Sequence, residues 1–304
     1  MTGKFPAGIA TGVGSWPGTD SREACRTVLG ELPELPHVVE LPARGIGADL
    51  LGRTGALLVD LAFDTTPRGY RLADRRGAST RRAQDLLRRD LDELESAWQT
   101  IGFAEGHLIK TQIAGPWTLA AQVELARGHR VLTDAGALRD LAASLAEGVA
   151  GHVAELEKRL NARVVVQFDE PCLDAVIDGT LRGPSTWDPV AAVPENDAVE
   201  LLDSVLGQCP APTLLHSCSH TPPLAVMGRT DATALGVPLP AVTSTQSLDM
   251  VAGQLDSGRS LVLGLIPTTP PDRPLTWQNC AAEAISLIDR LGFARSVLTQ
   301  QVAV

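Results

Sequence analysis

Two short apolar runs in this chain end in side chains that bind cations. Arg163-Val164-Val165-Val166-Gln167-Phe168-Asp169-Glu170-Pro171 closes on two carboxylates, and Thr213-Leu214-Leu215-His216-Ser217-Cys218 closes on an imidazole and a thiol. His216 and Cys218 stand at i and i+2, a spacing that puts both on one face of a strand. Imidazole nitrogen and thiolate sulfur are donors that tetrahedral zinc accepts. A buried thiol beside a hydrogen-bonded histidine is the plainer reading of the same pair. Asp169 and Glu170 are adjacent, so a continuing strand turns them to opposite faces. One of them then enters a site, while the other caps a helix or meets a cation.

Other reactive groups follow short apolar runs. Ser15, in Ser15-Trp16-Pro17, offers a hydroxyl and a backbone N–H suited to a carboxylate, or makes a plain turn. Glu40 follows Val38-Val39 and, if buried, needs a cation such as a substrate amine or Arg44. Gly115-Pro116-Trp117-Thr118 opens a helix on its proline, with Trp117 a stacking platform or core. His107, His129 and His152 read as surface or capping residues. Cys25, Cys172, Cys209 and Cys280 read as small buried apolar groups.

These groups need strands to carry them. Strand-like runs lie at 8–15, 37–41, 108–114, 163–168, 213–217, 232–239, 260–266 and 296–299. Helical patterns separate most of them. The clearest, over 134–159, repeats Leu138, Leu141, Leu145, Val149, Val153 and Leu156 at spacings of three and four, with Thr133 as the expected N-cap. A second covers 80–100. Residues 62–76, rich in Thr, Pro, Gly and Arg, show no periodicity and read as a long loop. Eight strands alternating with helices in 304 residues predict a (β/α)8 TIM barrel, with the chain, residues 1–304, as a single domain. A doubly wound sheet is the alternative, but Pro17 and Gly18 after Gly12-Val13-Gly14 make a poor phosphate-binding helix start. Both folds collect their chemistry at the carboxyl ends of the strands.

With 44% hydrophobic residues the chain can bury a large core. Its net charge of −10 argues against nucleic-acid and anionic-membrane partners. The five cysteines are unevenly scattered, as in a reduced cytoplasmic protein. We expect no signal peptide and no membrane span.

Taken in chain order, the strand-end motifs resemble the C-terminal catalytic barrel of cobalamin-independent methionine synthase. Gly12–Pro17 is similar to that family's Ile-Gly-Ser-Phe-Pro, and Val39–Arg44 more loosely to Gly-Glu-Phe-x-Arg. Ile113–Thr118 is similar to Leu-Thr-Gly-Pro-x-Thr, Gln167–Pro171 to Gln-Ile-Asp-Glu-Pro, and Leu215–Cys218 to the His-x-Cys zinc motif. The resemblance implies a stand-alone S-methyltransferase, related to uroporphyrinogen decarboxylases. Zinc would activate the thiol of homocysteine, which takes a methyl group from a methylated folate or another carrier. Carried over, His216 and Cys218 are zinc ligands, Asp169 and Glu40 hold the amino-acid ammonium, and Ser15 meets its carboxylate.

The chain also departs from the family. Where a third ligand, Glu, is expected it has Ala234-Leu235-Gly236-Val237-Pro238-Leu239. Where a catalytic His is expected it has Gly264-Leu265-Ile266-Pro267-Thr268-Thr269. A fourth ligand, Cys, and a last helix are missing after 296–299. The absent helix implies a bare outer face covered by a second subunit or a rearranged tail. Two alternatives to the methyltransferase stand beside it: a degenerate barrel that binds an amino-acid-like ligand without full zinc chemistry, and a metal-independent enzyme like uroporphyrinogen decarboxylase.

Overall fold

The structure, a computed structural model, describes residues 4–183, 185, 189–267 and 274–304. The chain begins with an irregular segment and helix α1 (Ser21–Glu31), whose N-cap Asp20 accepts from the backbone N–H groups of Arg22 and Glu23. A 3-10 turn (Pro42–Arg44) and α2 (Leu50–Leu57) follow. An antiparallel hairpin, β1 (Ala62–Thr66) and β2 (Gly69–Ala73), leads into the long α3 (Ala78–Ile101). Then come β3 (Leu108–Ala114), α4 (Pro116–Gln122), the short β4 (Val123–Glu124) and α5 (Ala135–Leu160). The chain continues with β5 (Arg163–Asp169), α6 (Leu173–Asp178), α7 (Glu195–Leu206), β6 (Thr213–His216), α8 (Leu224–Met227) and β7 (Ala234–Pro238). It ends with α9 (Thr245–Asp256), β8 (Ser260–Gly264), α10 (Trp277–Leu291), α11 (Val297–Gln300) and β9 (Val302–Ala303).

Strands β3, β5, β6, β7, β8 and β9 form one parallel sheet in that order, so each crossover returns beside its predecessor. Among the described residues the regular ladder stops at β3 and β9 and leaves an open sheet. Backbone contacts extend it at both edges. His37 pairs in parallel with Lys110, and Ser15 with Glu40. At the other edge Gly8 N–H donates to Val302 O at 2.7 Å and Val304 N–H to Ile9 O at 2.9 Å. The segments expected as the first two strands are thus present as isolated bridges. Gly8 and Gly14 have φ of 71° and 124°, which interrupts a regular extended run over 8–15.

The sheet's two faces divide the residues by parity. On the outer face Ile109, Ile113, Val164, Val166 and Phe168 join the main core with Leu141, Leu145, Val149, Val153 and Leu156 of α5. On the inner face Phe5, Leu35, Val165, Leu214, Ala234 and Ala303 make a separate apolar layer. Further along the strands the inner positions turn polar: Lys110 and Gln112 on β3, Gln167 and Asp169 on β5, His216 on β6.

Several sequence expectations change. The last strand is Val302–Ala303, not 296–299; there the N–H groups of Val297, Leu298 and Thr299 bond three residues back and make a helical turn. Residues 62–76 are no loop, because Ala62 to Thr66 pair with Ala73 to Gly69 and Tyr70 pairs with Val123. Asp134, not Thr133, caps α5 and accepts from the N–H groups of Gly136 and Ala137. His152 is buried within α5, 3.1 Å from Thr111 Oγ1, rather than at the surface.

Candidate active site

Asp169 and His216 are paired directly in the β5–β6 ladder, both on the inner face. His216 Nδ1 lies 2.6 Å from Asp169 Oδ1. The proton on this contact can be placed from the neighbours. Gln167 Nε2 donates to the Val13 carbonyl at 2.9 Å and to Asp169 Oδ1 at 2.8 Å, while Gln167 Oε1 accepts from Lys110 Nζ at 2.7 Å. A carbonyl cannot donate, so the amide orientation is fixed and Asp169 acts as acceptor. Nδ1 of a neutral His216 then carries the ring proton and Nε2 is the acceptor. Gly236 makes room for the ring: a Cβ there would lie 3.0 Å from His216 Cδ2.

Glu40 and Ser15, implied as amino-acid contacts, are bridged to each other. Ser15 is exposed and Glu40 is only 4% exposed. The cation nearest Glu40 is not the expected Arg44. It is Arg53 of α2, whose Nε lies 3.8 Å from Glu40 Oε1, and both atoms are buried without a hydrogen-bond partner. Arg53 also bonds Asp90 of α3 at 2.9 Å, and Arg44 takes both oxygens of the same carboxylate. Burial pushes Glu40 up to about 7, against the opposing pull of Arg53.

Glu170 turns away from this face, as adjacency requires. It is fully buried and caps α4 across the β3–β5 junction. Its carboxylate accepts from Trp117 N–H at 2.9 Å, Thr118 N–H at 2.7 Å and Thr118 Oγ1 at 2.6 Å. A Cβ on residue 115 would lie 2.3 Å from Glu170 Oε1, so Gly115 is needed for the approach. Trp117 is core: it is 2% exposed and its Nε1 donates to Ala198 O.

Lys110 is the site residue that the motif reading passed over. It is completely buried on the inner face and bonds Gln167 and, at 3.3 Å, Gln112. Its charge neighbours are Asp169 and Glu40, which partly offset a burial that brings the amine down to about 8. A lysine inside a strand whose alternate residues, Ile109 and Ile113, are apolar was the available signal. A groove of about 850 Å3 lies elsewhere, between α5 and α7, and none of Ser15, Glu40, Asp169, His216 or Cys218 lines it.

A family model described as the catalytic domain of cobalamin-independent synthase matches residues 8–296. The chain belongs to the cobalamin-independent synthase family. Among solved structures it is similar to the B12-independent methionine synthase from Shewanella sp. W3-18-1, determined in complex with selenomethionine. The TM-score is 0.59 at 12% identity, covering 98% of this chain and 89% of that one. It is also similar to a methyltransferase from Methanosarcina mazei, with a TM-score of 0.59 at 15% identity, covering 99% of this chain and 87% of that one. At such identities the likeness is one of fold. No curated protein matches the chain.

Cobalamin-independent synthases are where the resemblance implied zinc, and the donor set here can be tested for it. His216 and Cys218 are two donors. β6 ends at His216, so the strand argument for a shared face does not reach Cys218, which is exposed. The Cys218 thiol is pushed up by desolvation and then by the charge of Asp169. β7 ends in Val237-Pro238, with no further ligand there. Thr268 and Thr269, which stand where the family's catalytic His is expected, lie outside the described residues. Among the described residues no three His, Cys, Asp or Glu side chains group as a metal site. A catalytic zinc takes three protein ligands. Among the described residues the donors do not fit a resident zinc.

Proposed function

We propose that this member of the cobalamin-independent synthase family is a (β/α)8-type S-methyltransferase acting on an amino-acid thiol of the homocysteine class, with a methylated folate or another methyl carrier as donor. Family membership over residues 8–296 supports the reaction type. The single observation that supports the site is that Asp169 and His216, from two separated sequence segments, meet at 2.6 Å on the inner face at the strand ends, with buried Glu40 close enough to feel the charge of Asp169.

In this reading Asp169 and Glu40 receive the ammonium of the acceptor, and exposed Ser15 meets its carboxylate. His216 Nε2, bare because Nδ1–H is held by Asp169, accepts from the thiol S–H. The sulfur pair forms the bond to the methyl carbon, the bond from methyl to the donor atom breaks, and the thiol proton passes to that atom. Orientation of the two substrates supplies much of the rate.

The incomplete zinc donor set favours one second reading, a barrel that binds the amino-acid ligand without turnover. Calorimetric titration with homocysteine, combined with a methyl-transfer assay against methylated folates and other methyl carriers, separates the two. Binding with turnover that falls by about 10²-fold or more in His216→Ala supports the first reading. Binding without turnover supports the second. Absence of homocysteine binding removes both.

A further inference from the structure

The segments that carry Ser15 and Glu40 meet the sheet through isolated bridges, so side chains must help to set their place. Two amides reach them from the inner face. Gln112 and Gln167 are paired directly across β3 and β5. Gln112 Nε2 donates to the Val38 carbonyl, two residues before Glu40. Gln167 Nε2 donates to the Val13 carbonyl at 2.9 Å, two residues before Ser15, and to Asp169 Oδ1 at 2.8 Å. Gly14, between Val13 and Ser15, lies against the Gln112 amide: a Cβ there would come within 2.6 Å of its Cδ. The two segments are also bonded to each other, Glu40 N–H to Gly14 O at 3.1 Å and Trp16 N–H to Glu40 O at 2.8 Å.

Both amide oxygens turn back to one group. Lys110 Nζ donates to Gln167 Oε1 at 2.7 Å and to Gln112 Oε1 at 3.3 Å, and all three side chains are buried. A lysine nitrogen brings several N–H donors on one atom, which suits two converging carbonyl oxygens. If that donor is removed, neither amide can turn over, because its oxygen would then face the Val38 or the Val13 carbonyl. A buried amide oxygen left without a donor is costly, so the amides must shift, and the segments bonded to them shift as well. We propose that Lys110 is a positioning residue of the acceptor site: through Gln112 and Gln167 it sets where Glu40 and Ser15 stand relative to Asp169 and His216. One buried donor thereby fixes the spacing between the group for the acceptor ammonium and the group for its carboxylate. Lys110 does this without touching the acceptor, and a displacement of its two amides is felt as lost discrimination rather than as a lost contact.

This inference rests on the amino-acid pocket proposed above. The test is calorimetric titration of the full chain with homocysteine and two analogues: 4-mercaptobutanoate, which lacks the ammonium, and 3-aminopropane-1-thiol, which lacks the carboxylate. The unaltered chain should bind homocysteine about tenfold or more tightly than either analogue. In Lys110→Met both preferences should fall to roughly twofold or less, because both amides lose their donor. In Gln112→Met only the preference over 4-mercaptobutanoate should fall, since Lys110 still holds Gln167. A general loosening of the fold would weaken all three ligands alike and leave the preferences in place. If Lys110→Met does not fold, Gln112→Met decides. A preference over 4-mercaptobutanoate retained in either variant overturns the positioning role and leaves the pocket standing. Absence of both preferences in the unaltered chain overturns the pocket, and the positioning role with it.

Discussion

Glu40 Oε1 is buried without a hydrogen-bond partner, and burial raises the group from 4.5 to about 7. The folded chain therefore holds a proton on Glu40 between these values that the unfolded chain has lost. The stability this contributes is fully present below about 4.5 and is lost as pH rises toward 7. Relative to the parent, Glu40→Gln should gain stability across that window and then level off, read as the difference in urea midpoints at each pH. A pH-independent difference would show that Glu40 is ionised throughout. His37 and His152, lowered to about 3 and about 4 by burial, oppose this trend, because they favour folding as pH rises through 6.5. The comparison with the variant isolates Glu40. For His216 and Cys218 the expected outcome is substoichiometric zinc in protein purified without chelator. One equivalent of zinc, lost in both His216→Ala and Cys218→Ser, would restore the metal.

The start of α4 shows two motifs acting as one structural unit. Gly115-Pro116-Trp117-Thr118 follows β3 and Glu170 follows β5, and the Glu170 carboxylate joins them through three hydrogen bonds. Its own N–H donates to His216 O at 2.8 Å, so the same residue fastens the end of β6. Glu170→Ala leaves the N–H groups of Trp117 and Thr118 buried without partners and the Thr118 hydroxyl without its acceptor, and should cost on the order of 3 kcal/mol in urea unfolding. Gly115→Ala should also destabilise, because its methyl would occupy the carboxylate's place. A loss under 1 kcal/mol in both would mean that water replaces the cap. Which of the two acidic residues enters the site was half legible in the sequence. Adjacency required that they part, and the register of β5 with β6 selected Asp169.

The inner-face charges depend on contacts between distant segments. Asp90 is 1% exposed and receives Arg44 and Arg53 together, which ties α3 to α2 and to the turn behind Glu40. Asp90→Asn removes a buried charge from between two guanidinium groups and should cost about 3–5 kcal/mol, with weaker ligand binding because Arg53 is freed to move onto Glu40. An unchanged thermal midpoint would contradict this. By itself the sequence determined the β/α alternation, five of the six sheet strands to within two residues at each end, and that Asp169 and His216 close their strands. Those follow from local rules: apolar runs bounded by turns make buried strands, and parity assigns their faces. The tertiary structure decided that Arg53 rather than Arg44 approaches Glu40, that Cys218 lies beyond its strand, that 62–76 is a hairpin, and that Lys110 is buried against Gln112 and Gln167. Each of these is a pairing between residues far apart in the chain, and local periodicity carries no information about which distant charge or strand will complete a buried group.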